Sequence, residues 1–549
     1  MSAKQIVRNS ACLNTKSIGP KPKMLPVYKD YLPPCNQHCP TGNDIQGFLA
    51  LVRDLEFKKA WQKLVINQPM PAIHGRVCYH PCEISCNRAH TDSPVSIQQV
   101  ERMLGDLAID QKWAYPTVNE ETNRKILIIG AGPAGLAAAY HLRLAGHQVE
   151  IRDANPHAGG MMNYGIPAYR LPRNILQQEV EKITDMGVKL TLNHKVTDIV
   201  AEKEQGEFDA VFLAIGAQIG RHLKIPMEDC GPIMEATEYL NLVGNDQGPK
   251  LGKRIAVLGG GNTAMDTARV AKRLGAEEVM VIFFSDRNHM TAHEFEADEA
   301  EAEGVKIHWM RNLTSIHGTE FTMEVMALDE NGDAKPTGEI ETLQADAMVF
   351  AIGQDIESQL LSGVENVELT PDGCIKVNEH MMTGYEGIFA GGDMISSSRS
   401  VTTSTGHGKK AARNIDAWLR GGVYLSEEKH QVVTNDMLQL WYEIDSNRNP
   451  INEVAVAERV KDFTEVVQGL TMDQAVYEAT RCYSCGNCFE CDGCYGACPE
   501  QGAIIKLGKG NRYKFDYEKC TGCQACVNQC PCHAIVMSPV SDIPFTLKK

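Results

Sequence analysis

The amino-acid sequence predicts a multidomain α/β protein: a helical N-terminal domain, two nested α/β units and a small α+β domain at the C-terminal end. Three observations carry that expectation. The chain has 549 residues, too many for one hydrophobic core and enough for roughly three or four domains. An apolar strand, a glycine-rich turn and a helix follow one another twice, first from Lys125 and again from Arg254. Cysteines gather towards the two ends, five between Cys35 and Cys86 and eleven from Cys482 to Cys532. Alternating strand and helix text implies parallel sheets with helices on both faces.

In chain order, residues 1–34 are rich in proline and lysine and read as an extended lead. Residues 35–123 join the five cysteines to amphipathic helical text such as Ile45 to Val65, and form the helical domain. Residues 124–245 open with Lys125-Ile-Leu-Ile-Ile129, then Gly130-Ala-Gly-Pro-Ala-Gly135 and an alanine-rich helix. Residues 246–345 repeat the pattern with Arg254-Ile-Ala-Val-Leu258 and Gly259-Gly-Gly-Asn-Thr-Ala264. Residues 346–424 return to strand-like text in Met348-Val-Phe-Ala-Ile352 and Gly387-Ile-Phe-Ala-Gly-Gly-Asp393. A polar, helical connector fills 425–480, the cysteine-dense module 481–537 and a tail 538–549.

Each glycine turn follows a strand and opens a helix, the context a dinucleotide-binding fingerprint requires. Gly130 and Gly259 make the tight turn, and Gly132 and Gly261 let the backbone approach a pyrophosphate. Gly135 permits close helix packing, a place taken by Ala264 in the second turn. The helix N-terminus, with Asn262 and Thr263 at its start in the second unit, offers free N–H groups to phosphates. In the first unit the strand Val149-Glu-Ile-Arg-Asp153 ends in an acid that can bind ribose hydroxyls, 23 residues past Gly130. A single glycine turn also serves packing; two complete copies about 130 residues apart predict two Rossmann-like units.

The second unit ends in Val279-Met-Val-Ile-Phe-Phe-Ser-Asp-Arg287, with no adjacent arginine pair. A 2′-phosphate calls for arginine there, whereas a free 2′-hydroxyl tolerates an acid such as Asp286. The reading is therefore NADH over NADPH. The alternative is that Arg287, or a cation elsewhere, captures the phosphate.

At the C-terminal end Cys488, Cys491, Cys494 and Cys498 stand as C-x2-C-x2-C-x3-C before Pro499, and Cys520, Cys523, Cys526 and Cys530 repeat the run before Pro531. That run resembles two-cluster bacterial ferredoxins, in which the fourth cysteine of each run ligates the other cluster. The resemblance implies one [4Fe-4S] cluster on Cys488, Cys491, Cys494 and Cys530 and another on Cys520, Cys523, Cys526 and Cys498. It makes the module a bacterial-type ferredoxin domain, and single-electron transfer the expected work of the chain.

A second resemblance covers residues 35–424. It rests on Cys35-x3-Cys39-Pro40, Gly75-Arg-Val-Cys78-x3-Cys82-Glu-x2-Cys86, Val95-Ser-Ile-x2-Val-Glu101-Arg102, Gly160-x3-Tyr164-Gly165-Ile166-Pro167 and Gly391-Gly392-Asp393. These resemble the small subunit of NADPH-dependent glutamate synthase and its relatives, among them the large subunit of NADH-dependent ferredoxin:NADP oxidoreductase and the N-terminal half of dihydropyrimidine dehydrogenase. The resemblance implies that the first unit and the Gly391–Asp393 segment, with residues 346–424, jointly bind FAD. Tyr164 to Pro167 would lie near the flavin, and the second unit would bind the nicotinamide nucleotide. With its fused ferredoxin module the chain is also similar to flavoproteins that partner dissimilatory sulfite reductase or attach to 2-oxoacid:ferredoxin oxidoreductases.

The chain departs from that family in lacking the arginine pair noted above and the Arg-Cys-x2-Cys text ahead of Cys35, where only Cys12 stands. The same text occurs instead at Arg481-Cys482-x2-Cys485. The expectation is that this segment folds back, so that Cys482 and Cys485 join Cys35 and Cys86 on one cluster. Another would use Cys39, Cys78 and Cys82, with Glu101 as the carboxylate ligand that the resemblance implies. The alternatives are that Cys482 and Cys485 are free thiols or that a partner chain supplies the ligands. Cys12, Cys230, Cys374 and Cys532 stay unassigned. His289 and His293, four apart, and the acidic run Glu294 to Glu303 read as helix faces, the latter solvated.

The function expected is electron transfer between NAD(P)H, NADH preferred, and a ferredoxin or a partner redox enzyme, through FAD and four [4Fe-4S] clusters. The partner would be a 2-oxoacid oxidoreductase, a sulfite reductase or a similar enzyme, in a hetero-oligomer. Three other roles stay open: glutamate synthase small-subunit electron input, electron bifurcation, and a non-enzymatic wiring subunit. Hydride transfer requires no catalytic acid–base pair, and none is assigned. The formal charge of −16 argues against nucleic acid. No run approaches the ~18 apolar residues of a membrane span, and the polar N-terminus is no secretory signal. Long C-x2-C runs fit a reducing cytoplasm.

Overall fold

The structure, a computed structural model, describes residues 22–118, 120–361, 363–426 and 428–543. Cys12, most of the lead and the end of the tail lie outside the described residues.

The central mass consists of two parallel five-stranded sheets. The first runs Ile388–Ala390, Ala210–Leu213, Lys125–Ile129, Gln148–Arg152, Lys189–Thr191. The strand Lys125–Ile129 is buried over its last four residues, as a parallel strand covered on both faces must be. The helices Pro133–Leu144 and Val401–Leu419 lie side by side against this sheet. A Cβ on Gly408 would stand 2.1 Å from the Ala134 carbonyl oxygen, so the small residues of both helices set their close approach.

The second sheet runs Val305–His308, Glu278–Ile282, Arg254–Leu258, Ala347–Phe350, Ile233–Glu235. This corrects the expected boundaries at 245/246 and 345/346. The strand Ala347–Phe350 pairs with Arg254–Leu258, Met348 opposite Ala256, and so belongs to the second unit, as does Ile233–Glu235. Its text is uniformly apolar and suits any buried parallel strand, so the sequence does not say which sheet receives it. The units join where Ile219–Gly220 pairs antiparallel with Gln354–Asp355. The second unit also carries an antiparallel excursion of Arg311–His317, Glu320–Leu328 and Ala334–Gln344.

The helical domain breaks the expected stretch Ile45 to Val65 into Ile45–Arg53 and Phe57–Val65, with Leu55 between them at φ 62. Both ends of the described chain close on it or on each other. Met24–Tyr28, in the expected lead, is a strand antiparallel to Ile535–Pro539, whose last residues fall in the expected tail. The connector is mostly irregular, and its helix Met472–Thr480 packs on Ile45–Arg53 and Ile97–Asp110, placing Ala475 and Ala479 in the helical domain's core. It acts as a strap, because burying those alanines draws residues 481–485 onto the N-terminal domain. No described helix is long and apolar enough to cross a membrane.

Candidate functional site

The two glycine turns open onto one cleft of about 1160 Å³. At Gly130, φ is +106 and a Cβ would stand 2.3 Å from the Ala214 carbonyl oxygen. Gly259 repeats this at φ +141, 2.4 Å from the Ala351 carbonyl oxygen. Any side chain at either place would part the turn from the neighbouring strand. Gly132 and Gly261 precede the helices Pro133–Leu144 and Asn262–Arg273, and neither helix has a side-chain cap. Their first-turn N–H groups are thus left for ligand oxygens. Gly135 and Ala264 do not line the cleft, and the buried Ala264 methyl fits where Gly135 abuts the Gly130 carbonyl.

Around the first turn, Asp153 lines the cleft and holds it in shape. Its Oδ2 accepts from the Ala131 N–H at 2.7 Å and its Oδ1 from the Asn155 N–H at 2.8 Å. Gly160, Gly165, Ile166, Gly392 and Asp393 also line the cleft, whereas Tyr164 and Pro167 do not. The Tyr164 hydroxyl accepts from the His157 N–H at 2.9 Å and donates to its carbonyl at 3.1 Å, bracing the loop before Gly160. Burial pushes the Asp393 carboxyl up, and the Ser404 hydroxyl donates to it at 3.0 Å. Ser404 belongs to the helix Val401–Leu419, whose start lines the cleft.

Around the second turn, Asn262 and Thr263 line the cleft and Asp286 and Arg287 do not. Asp286 accepts from the His289 N–H at 3.0 Å and lies 2.5 Å from its Nδ1. Arg287 pairs with Glu301 at 3.0 Å and with Asp298 and Glu294. The residues facing the cleft there are Phe283, Phe284, His289 and Thr291. The acidic run is not wholly solvated. Glu296 and Glu303 are buried, Glu296 paired with Arg170 and Glu303 with Arg269, Arg273 and Arg459. Sequence reasoning missed Arg170 and Tyr79, both lining the cleft; the available signal was their adjacency to the Tyr164–Pro167 motif and to Cys78. The uncapped helices, the two glycine cradles and the volume of the cleft fit two dinucleotides, a flavin and a nicotinamide.

The cysteines fall into four groups. Cys35, Cys86, Cys482 and Cys485 line one small cavity, so the fold brings together residues about 450 positions apart. Burial first, then Cys482, Cys86 and Cys485, push the Cys35 thiol up. Gln46 Nε2 donates to the Ser484 hydroxyl at 2.6 Å and Asn87 Nδ2 to Cys485 Sγ at 3.4 Å. Arg481 anchors the segment, donating to Asp92 at 3.1 Å, to Glu478 at 2.8 Å and to the Ser93 carbonyl at 2.6 Å.

The second group is Cys39, Cys78 and Cys82 with Glu101 close to Cys78. Burial, then Glu101, push the Cys78 thiol up to about 12, with Cys39 a smaller cause. Burial pushes the Glu101 carboxyl up to about 8, and Gln68 donates to it. Thr41 links the two sides, its hydroxyl 3.1 Å from Cys39 Sγ and donating to Gln68 at 3.2 Å. Val77 and Tyr79, on either side of Cys78, line the cleft, which places this group beside it.

The last two groups repeat one geometry. Asp492 at φ 65 precedes the helix Gly493–Ala497, and Gln524 at φ 66 precedes Ala525–Asn528. Burial, then Cys488, Cys530 and Cys491, push the Cys494 thiol up to about 12. Cys498, Cys520, Cys523 and Cys526 line another small cavity. Among the described residues no three His, Cys, Asp or Glu side chains are arranged around a single ion.

Compared with known proteins, residues 124–408 match the model of the pyridine nucleotide-disulphide oxidoreductases. Residues 29–113 match the 4Fe-4S domain II of dihydropyrimidine dehydrogenase, and residues 513–536 a 4Fe-4S binding domain. The chain is 34% identical over 512 residues to the beta subunit of the NADP(+)-dependent formate dehydrogenase of Moorella thermoacetica, covering 84% of this chain and 71% of that one. It is 32% identical over 505 residues to the beta subunit of the NADPH-Fe(3+) oxidoreductase of Geobacter sulfurreducens, covering 83% and 75%. It is 32% identical over 419 residues to the small chain of the NADPH glutamate synthase of Azospirillum brasilense, covering 71% and 87%.

Proposed function

The chain belongs to the pyridine nucleotide-disulphide oxidoreductase family, and from that premise we propose that it is an iron–sulfur flavoprotein passing electrons between NADH and a separate redox subunit through FAD and four [4Fe-4S] clusters. One observation supports the reading: each cysteine group neighbours another, beginning beside the cleft. Val77 and Tyr79 bring Cys78 to the wall of the cleft. Cys82 feels Cys35 of the next group, Cys488 follows three residues after Cys485, and Cys494 feels Cys526. Cys523, in the last group, is exposed.

When bound, FAD would supply the exchange between the two electrons of one hydride and single electrons, which the clusters would carry one at a time. The chain's own part is to hold and screen. The helix starts at Gly132 and Gly261 would hold the pyrophosphates, and Asp153, which shapes the first turn, would be placed to meet a ribose. Val77, Ile166 and Phe350 keep water from the meeting point of the two sites. Glu101 stands in for a fourth cysteine beside Cys39, Cys78 and Cys82.

The formate dehydrogenase and Fe(3+) oxidoreductase relatives are named for NADP(+) and NADPH. In this chain the place of the cation pair is held by Phe284 and Ser285, and Arg287 is committed to three carboxylates. NADH should therefore reduce the flavin with at least ~10-fold higher kcat/KM than NADPH, the equivalent of one lost charge contact. Anaerobic rapid mixing with each nucleotide, following flavin bleaching, decides this; a preference for NADPH overturns it. Absence of bleaching with both leaves only the wiring role. A co-purifying subunit that oxidises the reduced chain would identify the partner.

A further inference from the structure

The helical domain plants one aromatic ring in the second nucleotide unit. Tyr79 follows Cys78 directly, lines the cleft, and stacks on His293 with ring centroids 3.8 Å apart and planes at 19°. Its hydroxyl accepts from Asn262 Nδ2 at 2.8 Å. Asn262 is the first residue of the helix on the Gly259–Ala264 turn, and its Oδ1 accepts from the His293 N–H at 2.9 Å. The Arg170 guanidinium and the Glu296 carboxylate lie beside the same hydroxyl, and Arg170 bridges Asp266 at 2.8 Å to Glu296 at 2.7 Å. One phenol thus ties the helical domain to both nucleotide units.

On its other side Tyr79 is tied to the environment of a sulfur. The Cys78 carbonyl accepts from Gln98 Nε2 at 2.8 Å and lies 3.1 Å from His80 Nδ1. Cys78 Sγ accepts from the His80 N–H at 3.3 Å, with His80 held at φ 41. Binding phosphates and transferring hydride call for none of these bonds. These bonds form a continuous path from Asn262 through Tyr79 to the peptide that donates to Cys78 Sγ. Hydrogen bonds to sulfur are among the determinants of an iron–sulfur centre's potential.

We propose that Tyr79 is a positioning residue that couples nucleotide occupancy of the Gly259–Ala264 turn to the reduction potential of the centre held by Cys78. The inference rests on the proposed nucleotide and iron–sulfur sites. By linkage the coupling runs both ways, so reduction of that centre changes nucleotide affinity by the factor with which nucleotide favours reduction or oxidation.

The test uses the intact holoprotein and ADP-ribose, which fills the phosphate and ribose positions without accepting hydride. The centre is identified as the EPR signal lost in Cys82→Ser. In the wild-type chain, saturating ADP-ribose should shift the midpoint of that signal. The ADP-ribose Kd of oxidised and reduced protein should differ about 10-fold, within the usual range of coupling between sites. Tyr79→Phe keeps the ring on His293 and deletes the hydroxyl; it should still bind ADP-ribose while losing both the shift and the Kd difference. A Tyr79→Phe protein with the full shift, or a saturated wild-type protein with none, overturns the proposal and leaves the cofactor assignments standing. Failure of ADP-ribose to bind, or absence of the EPR signal, removes those assignments and the coupling with them.

Discussion

The two iron–sulfur regions are built on opposite principles. In the C-terminal module eight cysteines lie between Cys488 and Cys530, and each run wraps a short helix entered through a left-handed residue. The N-terminal groups draw on residues 35 to 101 and on Cys482 and Cys485, brought together only when the helix Met472–Thr480 buries Ala475 and Ala479 against the helical domain. Exposure differs as well. Cys491 and Cys523 are exposed, and none of the seven N-terminal-group cysteines is. Where spacing closes the cysteine group, the chain needs only a local fold and can leave the group near solvent. Where tertiary packing closes it, the site is enclosed and as fragile as the packing.

The largest expected effect breaks that contrast at its weakest joint. Cys482→Ser combined with Cys485→Ser should lower bound iron by about a quarter, one four-iron cluster of four. The EPR signals of the C-terminal pair and the bleaching of flavin by NADH should survive. Iron analysis with EPR after dithionite checks this, and undiminished iron content would return both residues to the status of free thiols.

A smaller effect comes from the packing itself. Arg481, Asp92, Arg88 and Glu478 form a buried ion network that pins the returning segment, with Arg88 to Asp92 at 2.8 Å. Removing one partner leaves an uncompensated buried charge, so Arg481→Met should cost about 3–5 kcal/mol in the helical domain and loosen its iron. Burial acts to raise the Asp92 carboxyl, but bonds from Arg88, Ser446 and Ser93 outweigh it and hold the group well below the usual carboxylate range. The unfolded chain takes up a proton there near pH 4, which the folded chain resists. The network's contribution is therefore complete above about pH 4 and is lost as pH falls below it. Asp92→Asn should be less stable at pH 7 and should flatten that acid limb in chelator-challenged melting curves, with the C-terminal module unchanged.

The same contrast explains what could be read in the sequence. The C-terminal runs and both glycine turns are local, and their spacing led directly to the geometry around Gly130, Gly259 and the two short helices. Cys482 and Cys485 were legible only as surplus text that matched a missing motif; nothing local says where they go. The strand Ala347–Phe350 was misplaced because a wholly apolar strand satisfies either parallel sheet. Asp286 and Arg287 sit at the expected sequence position but turn from the cleft, since His289 and the carboxylates of the following helix bind them first. Tyr79 and Arg170 were marked only by their adjacency to Cys78 and to the Tyr164–Pro167 motif, because their partners come from three separate segments.

The smallest effect sharpens the comparison from the other side. The C-terminal module is not wholly self-contained, because Met24–Tyr28 supplies an edge strand to Ile535–Pro539. Tyr28 packs on Phe515 at 5.3 Å, its hydroxyl accepts from the Tyr513 N–H at 3.2 Å, and the Pro26 carbonyl accepts from the Tyr517 hydroxyl at 2.9 Å. Pro26 also helps line the cavity of Cys498, Cys520, Cys523 and Cys526. Deleting residues 1–28 removes about one well-buried side chain's worth of contact, or ~2 kcal/mol. It should speed chelator-driven loss of iron from the C-terminal pair several-fold, while the N-terminal EPR signals and the NADH-dependent bleaching hold their wild-type values. Because that loss is local, it should not propagate inward. If the N-terminal centres bleach in step, the two regions form one cooperative unit, and the distinction between spacing-closed and packing-closed sites fails for this chain.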